Sequence, residues 1–212
     1  MWKRNSLSIV LVVLALAFMA GQAATGLHVH NQELAEHGVG PLSLLGYLQS
    51  GHFISALFEN WESEFLQMGM YVLLTVKLRQ AGSAESRPLP PQQETGDIEP
   101  GPTPWPVRRG GLWLRLYSHS LSIAFAVLFG ASFALHLCGS WRAELAERAL
   151  RGEFPISLPA HFASAQFWFE SLQNWQSEFL AVLLLVVLTI WLRERDSPQS
   201  KPVRAPHSQT GA

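Results

Sequence analysis

Residues 59–79 read ENWESEFLQMGMYVLLTVKLR, and residues 173–193 read QNWQSEFLAVLLLVVLTIWLR. In both, a polar Asn-Trp-x-Ser-Glu motif runs straight into an apolar stretch that ends at Leu-Arg. The two are 114 residues apart. Carried outward without a gap, the same offset pairs residues 5–80 with 119–194 and gives 27 identities in 76 positions. NSLSI at 5–9 meets HSLSI at 119–123, and Gly38, Pro41 and Ser43 meet Gly152, Pro155 and Ser157. A constant offset over such a span reads as internal duplication.

Each half opens on a second apolar block. Residues 6–21 and 116–141 carry no Asp, Glu, Lys or Arg, and about 20 apolar residues cross a ~30 Å hydrocarbon core as a helix. The apolar part of the motif block is shorter. From Phe65 to Val76 is 12 residues, about 18 Å of helix, so the crossing has to start near Phe58 and take the motif into the outer part of the membrane. The sequence therefore predicts an all-α membrane protein with four transmembrane helices, built from two parallel helix–outer segment–helix repeats. Residues 1–80 form the first repeat and 112–194 the second. Seven of the 13 prolines fall between 88 and 106, so 81–111 reads as a disordered, solvated cytoplasmic linker. The polar 195–212 reads as a disordered cytoplasmic tail. The start of the chain resembles a secretory signal. It is read as an uncleaved helix, because its repeat partner at 115–140 is internal.

Charge orients this arrangement. Residues 1–6, 77–118 and 192–212 hold 12 basic and six acidic side chains, whereas the remainder holds three basic and ten acidic ones. The positive-inside rule places both termini and the linker in the cytoplasm. Trp2, Trp113 and Trp191 then stand at the inner boundary, and Trp141 and Trp168 near the outer one.

The repeated motif admits two readings. On a helical wheel Asn60, Ser63 and Glu64 share a face, as do Asn174, Ser177 and Glu178. Gln22 and its partner His136 reach a similar depth on the first helix of each repeat. Polar stripes on membrane helices face protein or water rather than lipid. In one reading Asn60 caps a helix, Glu64 sits on its N-terminal dipole, and Trp61 and Trp175 are interfacial anchors. In the other, Glu64, Glu178 and His136 line an ion or proton pathway, the paired carboxylates sharing a proton and the imidazole titrating near neutrality.

The outer segments carry weaker signals. Ser43 and Ser157 are placed to open short helices, and Gly38 and Gly152 suit turns with positive φ. His28, His30 and His37, with Glu33, read first as a polar surface helix, with Glu33 and Glu147 as capping or salt-bridge residues, and second as a candidate outer-face metal-binding group. Of these four, the repeat keeps only the glutamate, as Glu147. There is no GxSxG, Walker loop, HExxH or CxxC, and no enzyme or cofactor is expected.

A net charge of −1 speaks against nucleic-acid binding, and the single Cys138 excludes an internal disulfide framework. The charged fraction of 15% falls well below the roughly 25% of an average soluble domain. The expected partner is the lipid bilayer, with self-association open. The run GHFISALFENWESEFLQMGMYVLLTVKLRQAGSAESR at 51–87 resembles a family of small bacterial integral-membrane proteins, domain of unknown function 6766. The likeness extends over residues 5–194. It implies a bacterial inner-membrane location and brings no activity. Three functions stay open: a non-enzymatic structural or regulatory bundle, a small transporter or channel using Glu64 and Glu178, and an outer-face metal-binding module.

Overall fold

A computed structural model describes residues 2–89 and 100–211. The middle of the expected linker, 90–99, and the side chains of Trp2 and Lys3 lie outside the described residues. Every element among the described residues is helical: α1 (Trp2–Glu36), α2 (Leu44–Leu48), α3 (Gly51–Lys77), α4 (Trp105–Arg109), α5 (Gly111–Ser118), α6 (Ser120–Leu150), α7 (Leu158–Phe162) and α8 (Ala165–Leu188). The long helices follow from charge-free apolar runs without proline, which cost little to wind and satisfy every backbone group internally.

Among the described residues three helices, not the expected four, are long and apolar enough to cross a membrane by themselves: α1, α6 and α8. Helix α3 has the length, 27 residues, or about 40 Å. Its composition fails instead. Glu59, Glu62, Glu64 and Lys77 stand where α8 has Gln173, Gln176, Glu178 and the residue just beyond it, Trp191.

Burial is inverted relative to a water-soluble domain. Among the described residues, five apolar side chains are buried against twelve polar ones. Large apolar side chains stand in the open along α1, with Leu7 and Phe18 each 73% exposed, and along α6 and α8. Continuous apolar surface on this scale is unfavourable in water and favourable in hydrocarbon.

The chain divides into two compact units, Met1–Glu59 with Phe133–Trp168, and Asn60–Ser132 with Phe169–Ala212. In the first, α1 turns back at Gly38 (φ 71°), and α6 turns back at Gly152 (φ 70°). Both carry the positive φ that glycine adopts without a Cβ penalty. Ser43 then caps α2 by accepting from Gly46 N, and Ser157 caps α7 by accepting from Ala160 N. Phe167 is fully buried and packs edge-on against Phe133 at 5.7 Å. Gly51 of α3 and Gly139 of α6 bring their helices to backbone contact: a Cβ on Gly51 would stand 2.6 Å from the Gly139 carbonyl oxygen.

One expectation needs correcting. Asn60 is not a helix cap. Helix α3 begins nine residues earlier, at Gly51, and Asn174 lies equally deep in α8. The true start is set by Ser50 Oγ, which accepts from Phe53 N at 3.2 Å; Ser164 does the same for Phe167 N at 3.3 Å. FISALF and FWFESL are thus the first turns of the long helices. A second point concerns local geometry at two boundaries. In the second unit, residues 80–86 and 194–200 form matching turns. Gln80 N donates to Ser86 Oγ, and at the same offset Glu194 N donates to Ser200 Oγ, both at 2.9 Å. Gly82 (φ 82°) and Asp196 (φ 63°) both take the left-handed conformation. Ser83 Oγ shares a hydrogen bond with Thr189 Oγ1 at 2.9 Å, and Gly211 N donates to the Ser83 carbonyl. These turns are held by hydroxyl-to-backbone bonds, so hydrophobic periodicity carries no trace of them.

Candidate functional site

The first unit holds two polar clusters at matching places in the two halves. In the first, His30 and Glu33 lie one turn apart on α1, with Nδ1 and Oε2 at 3.3 Å. Asn31, beside them, grips the returning chain from both sides. Its Nδ2 donates to the Leu42 carbonyl at 3.1 Å, and its Oδ1 accepts from Leu42 N at 2.8 Å. The capped α2 then delivers Tyr47, and α3 opens with His52. The His30 and His52 rings stack at 4.8 Å between centroids, and Tyr47 OH and His52 Nδ1 are hydrogen-bonded at 3.2 Å. Tyr47 is buried beside Gly26, where any Cβ would collide with its ring. That burial, and then the Glu33 carboxylate, push the phenol above its usual range. His30, Glu33 and His52 each offer a ligand atom, all within 4.8 Å of one another. They edge a pocket of about 510 Å³, whose wall also includes His37, Leu34 and Glu147.

Of His28, His30 and His37, the cluster takes in only His30. His28 stands about 200° around the helix from His30, and His37 about 10.5 Å along it. His37 Nδ1 bonds the Glu33 backbone carbonyl at 3.0 Å. The third member of the cluster, His52, comes from another helix.

The second cluster is Ser140, Glu144 and Arg148 on α6 with His161 on α7. Ser140 Oγ and His161 Nε2 are 2.8 Å apart, and His161 Nδ1 and Glu144 Oε2 are 3.3 Å apart. Arg148 Nε donates to Glu144 Oε1 at 2.7 Å. In atom order this is a Ser–His–Glu line. Ser140 lies inside a continuous α-helix, where backbone N–H groups are spent on the i−4 carbonyls and form no oxyanion hole. Its hydroxyl also reaches the Leu137 carbonyl at 3.3 Å. The pair instead ties α7 to α6. At the 114-residue offset Ser140 aligns with Gly26, and His161 with Tyr47. Ser140→Ala leaves buried His161 Nε2 without this partner, so we expect a loss of about 1–2 kcal/mol in unfolding free energy, read by thermal denaturation in detergent. An unchanged melting curve refutes the clamp.

The sequence-selected polar residues do not gather in one layer within either unit. Gln22 is half-buried on α1. His136 is fully buried, 5.0 Å from the Phe167 ring, and its ring offers an atom within 4.8 Å of the Glu59 carboxylate. Both belong to the first unit, whereas Asn60, Ser63, Glu64, Asn174, Ser177 and Glu178 belong to the second. There Ser63 is buried and donates to the Asn60 carbonyl at 2.7 Å, and Ser177 donates to the Asn174 carbonyl at 2.8 Å. Glu64 is exposed and within electrostatic range of Glu178. The buried acid is Glu62, with no exposed surface. It accepts from Trp175 Nε1 at 3.2 Å, and the Trp175 ring meets Phe129 edge-on. Trp61 packs edge-on against Phe65. Among the expected belt residues, Trp113 and Trp191 are exposed, while Trp141 and Trp168 donate to the Ile156 and Phe162 carbonyls.

The profile of the family described as domain of unknown function (DUF6766) matches residues 1–212. The chain belongs to that family. No curated protein and no solved structure matches it. The match thus covers every residue of both clusters, and it brings no activity to either.

Comparing the halves draws attention to residues that recur, and the best-placed groups do not recur. Glu62 faces Gln176 in the alignment, His52 faces Gln166, and Tyr47 faces His161. Only a search for polar residues that one half keeps and the other loses would single them out.

Proposed function

We propose that the protein is a non-enzymatic membrane bundle of two parallel helix–outer segment–helix repeats, whose polar groups pack helices together. The observation that carries this is how the motif spends its hydrogen bonds. Ser63 and Ser177 donate to their own helices, and Trp175 donates to Glu62. Groups committed to backbone and neighbours act as packing rather than as a lining for a solute. Helix α3, too polar to enter lipid alone, accompanies the three apolar helices with Glu62 and Ser63 turned to protein. Matched turns at Gly38 and Gly152 and at Ser86 and Ser200 support the duplication. The charge split supports cytoplasmic termini, and the family resemblance a bacterial inner membrane.

The rival reading makes Glu64 and Glu178 a proton or ion pathway, favoured by their electrostatic proximity. Glu64→Gln with Glu178→Gln separates the two. On the packing reading the purified protein in liposomes passes no more protons down a pH gradient than empty vesicles. The double variant then melts within about 0.5 kcal/mol of the parent, as surface changes do. Proton flux in the parent that the double variant abolishes would overturn this function.

A further inference from the structure

We infer that His30, Glu33 and His52 form a binding site for a divalent transition metal, with Zn2+ the best chemical match. This goes beyond the packing function and does not depend on it. The donors are two imidazoles and one carboxylate, a set that suits Zn2+ with a fourth position left open. The spacing agrees. A tetrahedral ion with bonds near 2.0–2.1 Å holds its ligand atoms about 3.3 Å apart. His30 Nδ1 and Glu33 Oε2 stand at 3.3 Å, and all three donors lie within 4.8 Å, close enough for side-chain rotation to complete the site.

Three further observations point the same way. Ligating histidines characteristically hold their second ring nitrogen in a hydrogen bond, which fixes the tautomer. Tyr47 OH meets His52 Nδ1 at 3.2 Å. With Nδ1–H donating to the phenol oxygen, Nε2 is the ring nitrogen left for the metal, and the stacked His30 and His52 rings have to turn toward the ion to bind it. Tyr47 is itself immobilised, because Gly26 makes the space it fills and Phe53 packs on its ring at 5.5 Å. The elements carrying the ligands are also braced. Asn31 lies beside His30 and clamps Leu42, and Gly51 beside His52 packs against α6 through backbone contact. Finally, the pocket of about 510 Å³ on this cluster gives the ion an entry path and room for water or an exogenous ligand at the open position. Glu33, the most exposed donor at 55%, is the natural first contact for an arriving cation.

The test uses the full chain, purified in detergent and freed of metal with a chelator. Zn2+ binding is measured by titration calorimetry, and the site geometry by the visible absorption of Co2+. One ion per chain and an intense tetrahedral Co2+ spectrum are expected. His30→Ala and His52→Ala should each weaken Zn2+ binding by more than 100-fold. Tyr47→Phe, which removes only the outer hydrogen bond, should weaken it about 10–100-fold. His28→Ala, a histidine outside the cluster, should change it less than threefold. Circular dichroism without metal checks that each variant folds. Should an alanine variant fail, Glu33→Gln and His52→Asn replace it with closer shapes. No Zn2+ uptake by the parent chain overturns the site. So does binding that survives loss of both His30 and His52, or that falls equally with His28→Ala.

Discussion

Gly139→Ala is expected to destabilise the protein by about 2–3 kcal/mol, although propensity alone favours the change. Gly139 is in the middle of α6, where alanine normally gains about 1 kcal/mol over glycine. Here a Cβ would stand 2.6 Å from Ser55 N and 3.0 Å from the Ile54 carbonyl carbon. Those are backbone atoms of α3, and no rotamer change moves them. The helices have to part, which forfeits packing on both sides and costs what overpacked cores cost. Gly51→Ala meets the same obstacle from the other helix, with 2.8 Å to the Arg142 carbonyl carbon. Glycine at such a crossing is the usual way membrane helices approach closely. Gly21→Ala is the control. Gly21 is also mid-helix, nothing lies within 4 Å of its would-be Cβ, and the change should be neutral or mildly stabilising. The measurement is thermal unfolding in detergent. Equal behaviour of the Gly139 and Gly21 variants contradicts the close crossing.

Lys201→Met should release the C-terminal segment, at a cost of about 3 kcal/mol to its docked state. The Lys201 side chain is 1% exposed. Its ammonium, with three N–H donors, sits among four backbone carbonyls: Gly82, Gln209 at 2.8 Å, His207 at 3.0 Å and, most distant, Ile190 at 3.4 Å. Burial, and then Arg193 nearby, push its pKa below the usual lysine range, so those acceptors hold the charge against a real desolvation cost. Methionine keeps the stem and removes every donor, leaving the carbonyls unsatisfied. Around it Gly82 N donates to Thr210 Oγ1, and Arg193 donates to the Ala205 carbonyl at 3.3 Å. Limited proteolysis reads the outcome. Cleavage within 195–211 should accelerate by roughly two orders of magnitude, the Boltzmann factor for about 3 kcal/mol, in the regime where docking equilibrates faster than cutting. Equal cleavage of parent and variant excludes the staple.

The helices and the reversals at Gly38, Ser43, Gly152 and Ser157 were legible because each rests on local chemistry. Charge-free apolar length makes a membrane helix, serine caps one, and glycine takes positive φ. The start of α3 was misread because Asn60 is a good cap by type, while Ser50, ten residues earlier, caps it in fact. The fourth apolar crossing was over-read because the repeat carried the character of α8 onto α3, which has acidic residues where α8 has amides. The turns at 80–86 and 194–200 were not legible because they rest on hydroxyls bonding backbone and on one buried lysine, which leave no hydrophobic period.

The sequence by itself determined the all-helical class, the apolar helices and the charge asymmetry. Each of these depends on residue type at fixed spacing. Only the tertiary structure decided which polar groups meet. His52 reaches His30 and Glu33 because two turns and a short capped helix fold α3 back on α1. Glu62, an unremarked position of the motif, becomes the buried acid because Trp175 comes to it from a helix 113 residues away. Such meetings depend on how closely helices cross, and that closeness was set at Gly51 and Gly139 by the absence of a single carbon.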